Sequence, residues 1–224
     1  MSDSLKIFND HLIKCQLCPR LVHYRETVVL PPSFHTQKGW RKPVPGFGDQ
    51  SAWLMILGLA PSPQGGNRTG RIFTGDKSAI FLMNALYAEG LANQPTSISK
   101  DDGLKLHGCY MTAAVKCVPP NHRPSKEEYM RCTRTYLFHE MELFSHLKAV
   151  LVLGRVAFDA YFDWAKTKDA NIKKPSFKHG QSYVNYGLPT LYASYHPSPQ
   201  NTNTGLLTEK MFRGLLKEII RDNR

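Results

Sequence analysis

The sequence predicts a three-layer α/β/α fold with a central four-stranded parallel sheet, and three observations carry that prediction. Four short apolar runs, at residues 53–59, 110–115, 149–153 and 190–195, alternate with segments of helical periodicity. Strands that alternate with helices imply a parallel sheet, and its crossover helices cover both faces. A chain of 224 residues, 42% of them hydrophobic, suffices for one sizeable core. Residues 1–224 therefore read as a single domain with an N-terminal arm.

Each element has its own signal. Residues 4–14 place Leu5, Phe8, Leu12 and Ile13 at helical spacing and run straight into Cys15. Residues 31–49 are rich in Pro, Gly and basic side chains without a sustained period, and read as a long surface loop. The first strand leads into GLAPSPQGGNRTGRIFTGD, whose glycines and prolines preclude regular structure. A helix with Ile80, Phe81, Met83, Leu86 and Tyr87 follows. Beyond the second strand, Ser125 and Glu128 form a capping-box signature for a long helix over 125–147. Helices over 156–165 and 206–221 follow the third and fourth strands. Ligands of open α/β sheets bind outside the carboxyl ends of the strands. The loops after Leu59, Val115 and Tyr195 are therefore the expected site.

The chain carries 29 Lys and Arg against 18 Asp and Glu, a formal charge of +11. Such a balance favours a polyanionic partner, because neutralising phosphates releases condensed counterions. No apolar stretch is long enough to cross a bilayer, and no charged-then-apolar leader opens the sequence. The expectation is a soluble, cytoplasmic monomer with no membrane attachment.

Five cysteines without a secretory leader argue against a disulfide framework. Cys15 and Cys18 share one tight turn, and Cys117 and Cys132 flank the start of the long helix. Four thiolates from two distant segments suit an iron–sulfur cubane or a tetrahedral zinc. A single close pair and Pro19 directly after Cys18 favour the 4Fe-4S cluster. Cys109 reads as a small buried hydrophobe.

Residues 65–70 invite a phosphate-loop reading, but the spacing fits neither a dinucleotide fingerprint nor a Walker loop. A solvated surface loop is the plainer alternative. Asp76, between a strand-end loop and a helix start, either caps backbone amides or polarises a water. Phe73 is ordinary core or a stacking platform for a base. His196 ends the fourth strand in YHPSPQNTNTG, as a structural hydrogen bonder or as a donor aimed at a developing anion.

Taken together, GLAPSPQGGNRTGRIFTGD, KCVPPNHRPS and HPSPQNTNTGLLT, with the four cysteines, resemble the family 5 (type b) uracil-DNA glycosylases from Cys15 to the last helix. The resemblance implies a parallel sheet between helices and a 4Fe-4S cluster on Cys15, Cys18, Cys117 and Cys132. It also implies hydrolysis of the N-glycosidic bond of uracil, and of other deaminated or damaged bases, in DNA. Asp76, His196 and Asn121 match the family's catalytic positions. Residues 58–61, GLAP, carry no polar side chain where other uracil glycosylases have Asp, Asn or Glu.

On this reading Phe73 stacks on the extruded base, and backbone amides near Ala60 and Asn67 bond its edge. Arg68, Arg71 and Lys77 grip phosphates, while Ser198, Gln200, Asn201 and Thr202 enter the minor groove. The family pattern has histidine where this chain carries Gln64. A non-catalytic nucleic-acid-binding protein with a structural metal is the alternative that charge and cysteines equally support.

Overall fold

The computed structural model describes residues 3–34, 38–184 and 187–223. Residues 35–37 of the expected 31–49 loop lie outside them. Six strands, β1 (Phe47–Gly48), β2 (Leu54–Gly58), β3 (Cys109–Ala113), β4 (Ala149–Leu153), β5 (Ser182–Tyr183) and β6 (Thr190–Ser194), form one sheet in the order β1-β3-β2-β4-β6-β5. The four central strands run parallel, and the two outer ones pair antiparallel to β3 and β6. The expected four-stranded parallel sheet is thus the core of a mixed six-stranded one. Each edge strand is two residues long, too short to carry a period that sequence reading detects.

Alternation along the strands builds two cores. Met55, Leu57, Val150 and Val152 face one side of the sheet, packed with Leu5, Phe8 and Leu12 of α1 (Asp3–Leu12), Leu21 of α2 (Pro19–Thr27) and the aromatic side chains of α7 (Arg155–Lys168). Leu54, Ile56, Ala149, Leu151 and Leu153 face the other side. They meet Leu82, Met83 and Leu86 of α4 (Lys77–Ala88) and Phe212, Leu216 and Ile219 of the C-terminal helix (Glu209–Asn223). All five residues in each of β2, β3 and β4 are buried, which requires helices on both faces.

The helix expected over 125–147 is shorter and interrupted. Ser125 and Glu128 make the reciprocal capping box, and the helix runs from α5 (Lys126–Cys132) through a π turn at Thr133–Leu137 into α6 (Phe138–Glu142). The extra residue of the π turn falls directly after Cys132. On the inner side of this helix the buried Glu140 pairs with Lys116 and accepts from Tyr110 Oη (3.0 Å) and Thr112 Oγ1 (2.7 Å). A charge pair removed from water holds only when its remaining lone pairs are also met, and those two hydroxyls meet them. No helix among the described residues is long and apolar enough to cross a membrane.

Candidate active site

The loops after β2, β3 and β6 converge on one cleft of about 1600 Å³, open mouth included. Leu59 to Gln64 contribute from the first loop, Pro119 and His122 from the second, and His196, Ser198, Pro199 and Gln200 from the third. Phe73, Asp76 and Lys77 complete the wall. β3 lies on one side of β2 and β4 on the other, so the chain reverses its direction across the sheet at β2. Loops part at such a switch point and leave a crevice.

Asp76 is the N-cap of α4, with Oδ1 accepting from the Ala79 amide at 2.9 Å. Its Oδ2 accepts from Ser62 Oγ at 2.5 Å, and the Ser62 hydroxyl in turn accepts from the Gly65 amide at 2.9 Å. An ionised carboxylate offers about four lone-pair sites, so capping leaves acceptor capacity directed at the cleft. Gly65 is required here: a Cβ on it would lie 2.3 Å from Asp76 Oδ2 and 2.5 Å from Ser62 Oγ. Ser62 was not singled out from sequence, where a serine between two prolines in a loop carries no distinguishing signal.

His196 is half-buried at the end of β6, and its carbonyl accepts from the Ser198 amide and from Asn201 Nδ2, both at 2.8 Å. Burial lowers its pKa below the ordinary histidine value; Asp76 pulls the other way and His122 adds to the lowering. The ring is neutral at neutral pH and can donate one N–H. The Phe73 ring centroid lies 6.4 Å from that of His196. Phe73 adopts a left-handed φ of 48°, and Gly58 makes room for its ring, since a Cβ there would lie 2.8 Å from Phe73 Cζ.

Other expected residues are placed differently. Asn121 is exposed, at a left-handed φ of 51°, and does not line the cleft, whereas His122 beside it, φ 55°, does. Two successive left-handed residues reverse the chain here, a turn that residue identity alone does not announce. Ala60 lines the cleft. Asn67 is buried away from it: its amide donates to the Ser62 carbonyl (3.1 Å), and its Nδ2 donates to the Arg25 carbonyl (3.1 Å). Asn67 therefore braces the loop, and its amide is already spent.

The expectation that Arg71 grips phosphate is corrected by its burial. Its guanidinium bonds Thr74 Oγ1 (2.8 Å), Ser97 Oγ (2.9 Å) and Asp102 Oδ2 (2.8 Å), and it lies over the Phe47 ring. Burial raises the Asp102 carboxyl, but the Arg71 bond and the Ile98 and Leu104 amides outweigh it and hold it down to about 2. Arg68 is half-buried, donating to the Gln64 carbonyl at 2.7 Å and stacking over Phe34 at 4.1 Å. Lys77 is exposed at the mouth. Ser198 and Gln200 line the cleft, while Asn201 and Thr202 bond back into the loop that forms α8 (Pro199–Asn203).

Cys15, Cys18, Cys117 and Cys132 all line a second, tight cavity between the N-terminal arm and the helix start at α5. Burial pushes the Cys117 thiol up to about 11 and that of Cys132 to about 12. Arg25 Nη1 donates to Cys117 Sγ at 3.2 Å, and the Lys116 amide donates to Cys132 Sγ at 3.3 Å. Among the described residues, no three His, Cys, Asp or Glu side chains are grouped so as to hold a single metal ion. In a cubane each thiolate ligates a different iron, so the sulfurs stand further apart than around one ion. Four cysteine sulfurs around one cavity are the donor type that such a cluster takes. Cys109 is buried in β3 away from this cavity, as expected.

Residues 45–220 match the family described as the uracil DNA glycosylase superfamily. The chain is 44% identical over 215 residues to a type-5 uracil-DNA glycosylase of Pyrobaculum aerophilum, covering 96% of this chain and 92% of that protein. It is also 44% identical over 213 residues to the type-5 enzyme of Thermus thermophilus, covering 94% of each. The Mycobacterium leprae type-5 enzyme is 39% identical over 222 residues, covering 98% and 94%.

Proposed function

Because the chain belongs to the uracil DNA glycosylase superfamily, we propose that its cleft performs that chemistry, with the groups on the three strand-end loops in distinct roles. The protein is a uracil-DNA glycosylase of base excision repair, hydrolysing the bond between uracil and deoxyribose. The observation that carries the assignment of roles is the convergence of Asp76 and His196, 120 positions apart in the sequence, on one cleft walled by Phe73.

A base inside the duplex is out of reach, so the nucleotide is first extruded, at a cost of roughly a few kcal/mol that is smaller for a mispaired base. U·G therefore opens more readily than U·A. Phe73 stacks on the base, worth about 1–3 kcal/mol. As the glycosidic bond lengthens, positive charge grows on the sugar and negative charge on the base. The Asp76 carboxylate, held by Ser62, opposes the first and orients the water whose oxygen adds to C1′. Neutral His196 donates to the pyrimidine oxygen and stabilises the second. Free uracil and an abasic site are the products.

Lys77 and Arg68 supply phosphate affinity, and the loop from Ser198 to Thr202 fills the vacated space in the minor groove. His122 takes the place expected of Asn121 in the wall. We read the four thiols as ligands of a 4Fe-4S cluster, which, when bound, supplies a cross-link between the N-terminal arm and the helix that begins at α5. The same cleft accepts other damaged bases of similar size, and the chain acts as one domain and as a cytoplasmic monomer.

Incubation of iron-replete protein with an oligonucleotide bearing a single uracil, followed by alkali, tests this. Strand scission at that position, with none in a thymine control, is expected. Intact strands despite DNA binding would return the chain to the non-catalytic alternative.

A further inference from the structure

Arg25, on α2, is 2% exposed, yet among the described residues its charge is met only by a long ion pair, 3.8 Å, to Glu26, which is itself half exposed. Its Nη1 reaches Cys117 Sγ at 3.2 Å and the Cys15 carbonyl at 3.1 Å, while its Nε has no partner among the described residues. The neighbouring buried cation, Lys116, is matched by Glu140. A buried guanidinium facing four protonated thiols is poorly compensated, and the same guanidinium facing four thiolates around an iron–sulfur core is well compensated.

We infer that Arg25 is the outer-sphere cation of the cysteine cavity, bonding a ligating sulfur and setting both the reduction potential of the cluster and its hold on iron. The inference rests on the cluster reading above. Reduction makes the cluster one unit more negative, so a fixed cation at the sulfur favours the reduced form and raises the potential. The N–H···S bond also draws charge from Cys117, and the bond to Cys15 holds the opposite pair of ligands in place. Arg25 acts beyond the cavity as well. Its carbonyl accepts from Asn67, whose own amide bonds the Ser62 carbonyl, so the helix that carries Arg25 also braces the loop before Asp76.

The test uses anaerobically purified, iron-loaded protein with Arg25 unaltered or replaced as Arg25→Met, Arg25→Gln and Arg25→Lys. Iron and sulfide content, the visible absorption band, its midpoint in a reductive titration and the rate of iron loss to a chelator are measured. Arg25→Met should shift the redox equilibrium at least tenfold toward the oxidised cluster, about 59 mV for one electron, and release iron at least tenfold faster. Arg25→Lys, which keeps the charge and loses the fork, should hold the midpoint near the unaltered value while releasing iron faster. Arg25→Gln keeps a donor without charge, and its midpoint should fall with that of Arg25→Met; it is read instead where Arg25→Met does not accumulate. Midpoint and release rate within twofold of the unaltered protein in the uncharged variants would overturn the role. Unaltered protein without iron or sulfide would overturn the cluster reading itself, a different failure.

Discussion

The Ser62 hydroxyl donates to Asp76 Oδ2 at 2.5 Å while its own oxygen accepts from the Gly65 amide at 2.9 Å, so the carboxylate is clamped by a residue fourteen positions earlier in the same loop. Together with the Ala79 amide on Oδ1, the clamp fixes the plane of the carboxylate before substrate arrives. Preorganisation of this kind spares the reorganisation that water would demand.

Asp76→Asn separates charge from capping, because asparagine caps a helix as well as aspartate does. Its single-turnover rate should fall about a hundredfold or more, the usual range for a lost acid–base group, with melting temperature and DNA affinity held. Ser62→Ala should cost about tenfold through a freer carboxylate, since a hydrogen bond to a charged group is worth about 1.5–3 kcal/mol. Single-turnover rates equal to the unaltered enzyme in both variants would remove the pair from the chemistry.

His196→Ala should lose about a hundred- to a thousandfold in rate, as for one preorganised anion donor. The unaltered enzyme should hold its rate down through the ordinary histidine value of about 6.5 and lose it only at lower pH, because burial lowers the pKa of His196 and the cation then formed would offset the Asp76 charge that opposes the sugar. That acid limb should vanish in His196→Ala. The sign for stability is the same: a histidine with a depressed folded value binds fewer protons folded than unfolded, so stability declines as pH falls from about 6.5 toward that lower value. A pH–rate profile of identical shape in both proteins would count against the donor role.

Phe73→Ala should weaken binding of a uracil-containing strand by roughly 5- to 100-fold, the equivalent of about 1–3 kcal/mol of lost stacking. Gly58→Ala should mimic part of that loss without touching substrate, because its methyl would stand 2.8 Å from Phe73 Cζ and displace the ring. Affinity measured on a flipped-base analogue distinguishes the two expectations. Gly58→Ala binding like the unaltered protein would show that the ring does not need its place.

Arg71 and Lys77 should separate cleanly. Arg71→Ala strips Thr74, Ser97 and the half-buried Asp102 of their buried partner and should destabilise the fold by about 1–3 kcal/mol. Lys77→Ala should leave the melting temperature unchanged and reduce the salt dependence of DNA binding by about one counterion. Thermal melts and affinities over a salt series read both; a stable Arg71→Ala with a shallower salt slope would restore Arg71 to the DNA surface.

Much of the fold was legible along the chain. The four parallel strands and the helices between them follow from apolar spacing, which is local. The cysteine pattern pointed to one shared site because a tight turn and a distant pair are visible as spacing. Less of the cleft could be read this way. The loops were identifiable from strand order, and Asp76 and His196 from their positions at strand and helix ends.

Which polar side chains face the cleft was decided only by tertiary contact. Arg68, Arg71 and Lys77 look alike in sequence, yet Arg71 is covered by Phe47 and the loop carrying Asp102, Arg68 leans on Phe34, and Lys77 alone of the three is exposed. His122 lines the cleft where Asn121 does not, and both hold a left-handed φ. Arg25 reads as one more surface cation until α2 presses it against Cys117. Periodicity determines which face of an element is apolar, because that depends on near neighbours; burial of a charge depends on which distant segment arrives to cover it, and that is set only when the chain closes on itself.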